Sequence, residues 1–344
     1  MNDTMSMNTF RYLTLIILVL LTPSFSCSFG KETVYKKTMP LMDTIVSITV
    51  VADSKDMAEK AIERTFAEIG RFGDLINFYS DTSELAGINR NAGIHSVKVS
   101  PETLDVIGKA VFAAEKSGGA FDPTIGPIIK LWDFLNKKKP TEAEILQALF
   151  LVNYKDILID RTDATVFLKR KGMMIDLGGI AKGYAADLAV ESLKKEGILS
   201  GLVSIAGDIR TFGMKPDKSP WTIGIKNPRQ TGEKDEIVAK IRLSDKAIST
   251  SGDYERFFIS DDKRYHHLLD PKTGLPASGC RSVSIVTDKA VDTDAFSTAV
   301  FILGPEKGMK LVKEMGMDAI IIDSSGTIHM TDAIKEKITL EKGH

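Results

Sequence analysis

After residue 150 the chain becomes a succession of short β-rich runs, at 165–169, 202–206, 221–225, 238–243, 265–269 and 282–287, closed by a last strand at 319–322. Two helical stretches interrupt them, one over about 179–196 that ends near Gly197, and one over about 292–316 that Gly304-Pro305 should break. Parallel neighbours need a crossover helix between each pair of strands, and this pattern supplies far too few. It therefore speaks against a doubly wound parallel fold and for α+β, with a mixed, mostly antiparallel sheet and flanking helices.

The N-terminal half is more helical. Residues 41–51 read as a strand, being rich in β-branched side chains. Ile62, Phe66, Ile69, Phe72 and Ile76 then recur at helical spacing, which predicts an amphipathic helix over about 55–78. Ser100-Pro101 supplies a cap and a first-turn proline for a second helix, which carries Leu104, Ile107 and Val111 and stops at Gly118-Gly119. Thr141 with Glu144 forms a capping box for a third. No Pro/Gly/Ser-rich linker divides residues 27–344, so one unit with two sub-lobes is expected there.

Residues 1–26 stand outside that unit. Arg11, the apolar run Tyr12–Leu21 and the small-residue exit to Ser26 have the form of a secretory signal, and the run is short for a membrane span. Cleavage before Cys27 would make it the first residue of a lipoprotein, although Ser24-Phe25-Ser26 lacks the usual Leu three places before the Cys. The expectation is an exported protein on the periplasmic side of the inner membrane, lipid-anchored at Cys27. Cys280, the other cysteine, is then unpaired. A formal net charge of −1 gives no basic footprint for nucleic acid.

Five segments could carry chemistry. In Ile175-Asp-Leu-Gly-Gly-Ile-Ala-Lys-Gly-Tyr-Ala-Ala-Asp187 a strand end runs through glycines into a helix, whose N-terminus offers free N–H groups to an anion; Lys182 adds a cation. In Asp292-Thr-Asp-Ala-Phe-Ser-Thr298, Asp294 and Thr298 share a helix face and present hard oxygen donors suited to magnesium, although Asp292 or Asp294 could equally be a helix cap. His267, entering the turn Asp270-Pro-Lys-Thr-Gly274, is placed to be a general base or a satisfied structural group. The loop Gly118–Pro127 could wall a flat ligand or merely link two elements, and Tyr79 could stack on a ring or join the core.

Together and in this order, Gly118–Pro127, Ile175–Asp187, His267–Gly274 and Asp292–Thr298 resemble the ApbE family of FAD:protein FMN transferases, over most of the chain from Met42 to Thr298. The resemblance implies the α+β, T-fold-like domain of that family, FAD as substrate in a cleft and Mg²⁺ at its pyrophosphate. It implies transfer of FMN to a Thr or Ser hydroxyl of an acceptor flavoprotein, such as a subunit of a membrane redox complex. Carried over residue by residue, it makes Asp294, Thr298 and the Ala181 carbonyl the metal ligands, with Ser297 a further candidate. It makes Met42, Tyr79, Ala120, Phe121, Asp122, Gly178, Tyr184 and Leu268 contacts to FAD, and His267 the base. Two positions depart from the family pattern: Asp43 stands where Gly is usual, and Ala206 replaces the first of two usual glycines. The alternatives are an FAD pyrophosphatase, in which water replaces the acceptor, and a non-catalytic exported FAD-binding lipoprotein.

Overall fold

The structure, a computed structural model, describes residues 32–229 and 236–341. The expected signal segment and Cys27 lie outside the described residues. Among those described, no helix is long and apolar enough to cross a membrane.

The centre is an eight-stranded sheet whose strands lie side by side in chain order: Thr33–Leu41, Thr44–Ala52, Ser200–Ile205, Asp208–Phe212, Ala247–Gly252, Cys280–Thr287, Asp318–Asp323 and Ile328–Met330. Each pairs antiparallel with the next. The expected α+β architecture is present, but the sheet is not mixed. Among the described residues the parallel contact is an isolated bridge, Ile125 to Met174.

Period-two alternation gives this sheet two buried faces. Val46, Ile48, Val203, Ile285 and Ile321 face a helical layer built from Lys55–Ile76, Pro101–Lys116, Ala181–Lys195 and Ala290–Glu314. Their neighbours Ile248, Val286, Ile320 and Ile322 face a small sheet of Trp221–Lys226, Ile237–Leu243 and Ile338–Leu340. A third cluster, around Trp132, Phe258 and Leu269, sits under the hairpin Phe257–Ser260/Lys263–His266.

The helix signals are realised. Ser100 accepts the Thr103 N–H, the Thr141–Glu144 box closes in both directions, and Gly304 (φ 79°) kinks the last long helix. The strands required correction. The run at 41–51 is the second arm of a hairpin; Met42 and Asp43 form its two-residue turn with φ of 52° and 54°. Asp tolerates that left-handed conformation, which accounts for its standing where glycine is usual. The strand expected at 265–269 ends at His266, and two further strands follow the one expected to be last. Thr33–Leu41, Asp208–Phe212 and Ala247–Gly252 had no counterpart in the sequence reading. Ala206 also adopts a left-handed φ of 52°, in the turn that delivers Asp208.

Candidate active site

The segment 175–183 is pinned before it turns. Asn89 holds both backbone groups of Ile175, and the Asp176 N–H donates to Pro123 O. Asp176 Oδ1 then accepts the Gly178 N–H at 2.9 Å, closing a tight turn. The helix Ala181–Lys195 begins immediately, with no side-chain cap of its own.

Its first turn is capped from outside. Asp294, one turn into the helix Ala290–Glu314 and 4% exposed, accepts the Gly183 N–H at 2.9 Å. This approach requires Gly183. A β-carbon there would lie 2.1 Å from Ala290 O and 2.8 Å from Asp294 Cβ. Capping of the second helix, which the sequence offered to Asp292 or Asp294, falls to Asp187: its carboxylate accepts the Ala290 and Val291 N–H groups and pairs with Arg210. Asp294 is thereby left to face the turn of the first helix.

Thr298 follows one turn on, half-buried, and its Oγ1 would lie 3.5 Å from a β-carbon on Gly179. Ser251, from the strand Ala247–Gly252, hydrogen-bonds Ser297 at 2.9 Å and Thr298 at 3.3 Å. Ser297 also donates to Asp294 O, so its hydroxyl is doubly engaged. Lys182 extends into the same pocket. Its ammonium donates to Gly178 O at 2.8 Å and lies 3.7 Å from Asp208 and 3.9 Å from Asp294. Burial raises the pKa of both carboxylates, and for Asp208 the neighbouring charge of Asp294 adds to it.

This donor set fits magnesium. Asp294 and Thr298 are hard oxygens with lone pairs left over, and a cation, the Lys182 ammonium, already rests beside them. No cluster of three or more His, Cys, Asp or Glu suited to a metal occurs among the described residues. Magnesium needs only one or two carboxylates and completes its shell with water and substrate phosphates.

The two histidines divide cleanly. His266 is 4% exposed, bonds Ala277 O through Nε2 and accepts the Leu268 N–H at Nδ1, so both ring nitrogens are satisfied. His267 is half-buried, and its Nδ1 lies 3.3 Å from Arg256 O. A carbonyl can only accept, so Nδ1 carries the proton and Nε2 keeps the lone pair. Burial, reinforced by the charge of Arg256, holds this imidazole down at about 4. Tyr79 is 76% exposed, with its ring edge-on to Phe78, and burial of its hydroxyl end, with the charges of Asp176 and Asp43, raises the phenol above its usual value.

The other residues carried over as flavin contacts are placed as follows. Met42 packs over Gly73, and Phe121 lies against Gly179. Ala120 is buried, and the exposed Gly178 sits in the turn itself. Asp122 is occupied by Thr124 of its own loop and by the Tyr154 N–H from a later turn. Tyr184 leans on Phe72 in the helical layer, with its hydroxyl on Asp105, and Leu268 is part of the core. The structure thus gathers Gly178, Ala181, Asp294, Ser297, Thr298 and Phe121 at one junction. It does not bring the Asp122 carboxylate or the Tyr184 hydroxyl to it. Sequence reasoning missed Asp208, Ser251 and Arg256. Asp208 left one signal, its place directly after the Ala206-Gly207 turn.

A family model described as "ApbE family" matches residues 42–321. The FAD:protein FMN transferase of Treponema pallidum is 35% identical over 295 residues, 81% of each chain, and one from Klebsiella pneumoniae is 32% identical over 299 residues, 86% of this chain and 91% of that one. Among solved structures, the ApbE protein of Thermotoga maritima superposes with a TM-score of 0.82 at 35% identity, covering 89% of this chain and 99% of that one. The apo flavinyl transferase ApbE of Pseudomonas stutzeri gives 0.79 at 29%, covering 89% and 97%.

Proposed function

Because this chain belongs to the ApbE family, we propose that it is an FAD:protein FMN transferase that moves the FMN half of FAD onto a Thr or Ser hydroxyl of an acceptor flavoprotein and releases AMP. The observation that carries the reading is the junction where Asp294 and Thr298 meet the glycine turn and helix N-terminus at Gly178–Gly183. That junction combines hard oxygen donors and a lysine at one point, which is what a diphosphate with its counter-ion demands; the N–H groups of Gly178, Ile180, Ala181 and Gly183, expected from the sequence to be free for an anion, are already bonded within the protein.

The acceptor hydroxyl oxygen would attack the FMN-side phosphorus. The P–O bond to AMP breaks, the AMP carries off the bridging oxygen, and the hydroxyl proton passes to a base. His267 Nε2 is the lone pair presented for that proton, its orientation set by the Nδ1 bond to Arg256 O. Magnesium held by Asp294 and Thr298, with the Ala181 carbonyl, would neutralise charge on the phosphate oxygens. Lys182 orients the diphosphate, while the exposed ring of Tyr79 offers a face to the flavin. Export and a lipid anchor at Cys27, on the periplasmic side of the inner membrane, belong to the same proposal and rest on residues 11–27.

The test is incubation with FAD and Mg²⁺, with and without an acceptor flavoprotein, reading acceptor mass and free AMP. The expected result is a mass gain equal to FMN that EDTA abolishes. AMP without labelling would make the protein an FAD pyrophosphatase, and bound FAD without either product would make it a carrier.

His267→Ala should cut transfer by about 10²-fold without abolishing it, since the electrostatic contribution remains. The kcat/KM profile of the wild type should fall away below about pH 5 through the protonation of His267, near 4, and the variant should lose that limb. An unchanged profile would remove His267 as the base. The same shift has a stability signature. A folded value below the usual 6.5 stabilises the fold above pH 6.5, and that contribution is lost as pH falls through 4.

A further inference from the structure

We propose that the Lys182 ammonium is a resident counter-cation of the metal pocket, one that holds Asp294 in the metal-free protein and yields to the divalent ion by moving its charge onto Asp208. The inference rests on the magnesium reading given above and extends it to residues outside the ligand set.

Three distances carry it. The ammonium is hydrogen-bonded to Gly178 O at 2.8 Å, yet it stands 3.7 Å from Asp208 and 3.9 Å from Asp294, beyond hydrogen-bond reach of either carboxylate. It is tethered by a neutral carbonyl and shared between two anions. Both carboxylates are 4% exposed, and among the described residues no other cation forms an ion pair with either of them. Two buried carboxylates cannot both remain charged beside one another without a cation, because desolvation and mutual repulsion act together. Lys182 meets that need when no metal is present.

The arrangement also explains why Asp208 is there at all. It has no place in the ligand set, and it is delivered by a turn in which Ala206 takes a left-handed φ. Were Lys182 paired with Asp294 alone, an entering divalent ion would have to break a buried ion pair and leave the ammonium uncompensated, which is costly. With Asp208 on its other side, the lysine keeps a partner whichever way Asp294 is used. The pocket therefore has two arrangements: the ammonium shared between both carboxylates, and the ammonium on Asp208 while the divalent ion and the diphosphate take Asp294.

A resident cation competes with the metal, so removing it should tighten metal binding. The experiment is Mn²⁺ binding to the full chain without FAD, read by the loss of the free-ion EPR signal, for wild type, Lys182→Gln and Lys182→Arg. Gln keeps a donor for Gly178 O and loses the charge; Arg keeps the charge. The expected result is Mn²⁺ binding on the order of tenfold tighter in Lys182→Gln, given the strength of a pair at this distance in a partly buried site, with Lys182→Arg within about threefold of wild type. In EDTA the Gln variant should melt lower than wild type, and Mn²⁺ should restore it. If Lys182→Gln does not fold, Lys182→Met is measured in its place with the same expectation. Wild type that binds Mn²⁺ while the neutral variants bind it no more tightly overturns this inference alone. Wild type that binds no Mn²⁺ overturns the magnesium reading and this inference with it.

Discussion

Asp294→Ala should lower FMN transfer by about 10³-fold or more, because electrostatic stabilisation of the diphosphate is the largest contribution such a site makes. Release of AMP should fall with it, while FAD binding, measured by quenching of flavin fluorescence, should weaken but persist through contacts elsewhere in the cleft. The alanine also strips the Gly183 N–H of its acceptor, and a buried donor left unpaired costs about 1–3 kcal/mol. Asp294→Asn separates the two effects. Its amide oxygen can still accept from Gly183, so its melting temperature should stay near wild type while transfer is lost. An Asp294→Asn protein that is folded and turns over at a near wild-type rate would remove the metal assignment.

The largest expected loss of stability lies one contact away. In Gly183→Ala the new β-carbon would lie 2.1 Å from Ala290 O, 2.6 Å from Ala290 C and 2.8 Å from Asp294 Cβ. Two of those atoms are backbone, so no rotamer change relieves them, and the helices Ala181–Lys195 and Ala290–Glu314 must part. Overpacking of this kind costs about 3 kcal/mol, visible as a fall in the urea midpoint at constant slope. Transfer should drop as well, since parting the helices takes Asp294 and Thr298 away from the glycine turn. Gly70→Ala is the matching control. Gly70 lies inside the helix Lys55–Ile76, and its β-carbon would meet Leu41 Cδ2 at an ordinary 3.7 Å. That exchange should be neutral or stabilising by up to about 1 kcal/mol. If Gly183→Ala is as stable as Gly70→Ala, the close approach described here is wrong.

The helices were legible because their stop and start signals are local. Ser100, Thr141 with Glu144, Gly197 and Gly304 each act within one turn of their own position. The strand Ala247–Gly252 was not legible, because it is central yet carries Ser249, Thr250 and Ser251. Those hydroxyls are paired with Thr293, Ser284 and Ser297, so their polarity is satisfied by partners from elements far along the chain. No window on the sequence could see those partners. The hairpin turn Met42-Asp43 was missed for a related reason: neither residue is the glycine that usually marks a left-handed position. Likewise, spacing alone could not choose between capping and coordination for Asp294. The choice depended on Asp187, which reaches the same helix end from another element. For Lys182 the sequence shows a nearby cation but not where its long side chain goes: the ammonium folds back to Gly178 O and stands between Asp208 and Asp294.

The large sheet keeps its strands in chain order, but its second and third members are far apart along the polypeptide, Val46 bonding across to Ile205. Helices and a second three-stranded sheet, of Val97–Lys98, Ile157–Asp160 and Thr165–Leu168, are made in between. Closing so long a loop is an entropic burden that local contacts cannot lift, so assembly should be slow relative to the helical lobe it encloses. During synthesis the first hairpin must wait for most of the molecule to emerge. Asp294 and Thr298 arrive later still, behind the strand that carries Ser251. A nascent or truncated copy therefore holds the glycine turn without its acidic counterpart, and chemical competence switches on only when the last long helix docks.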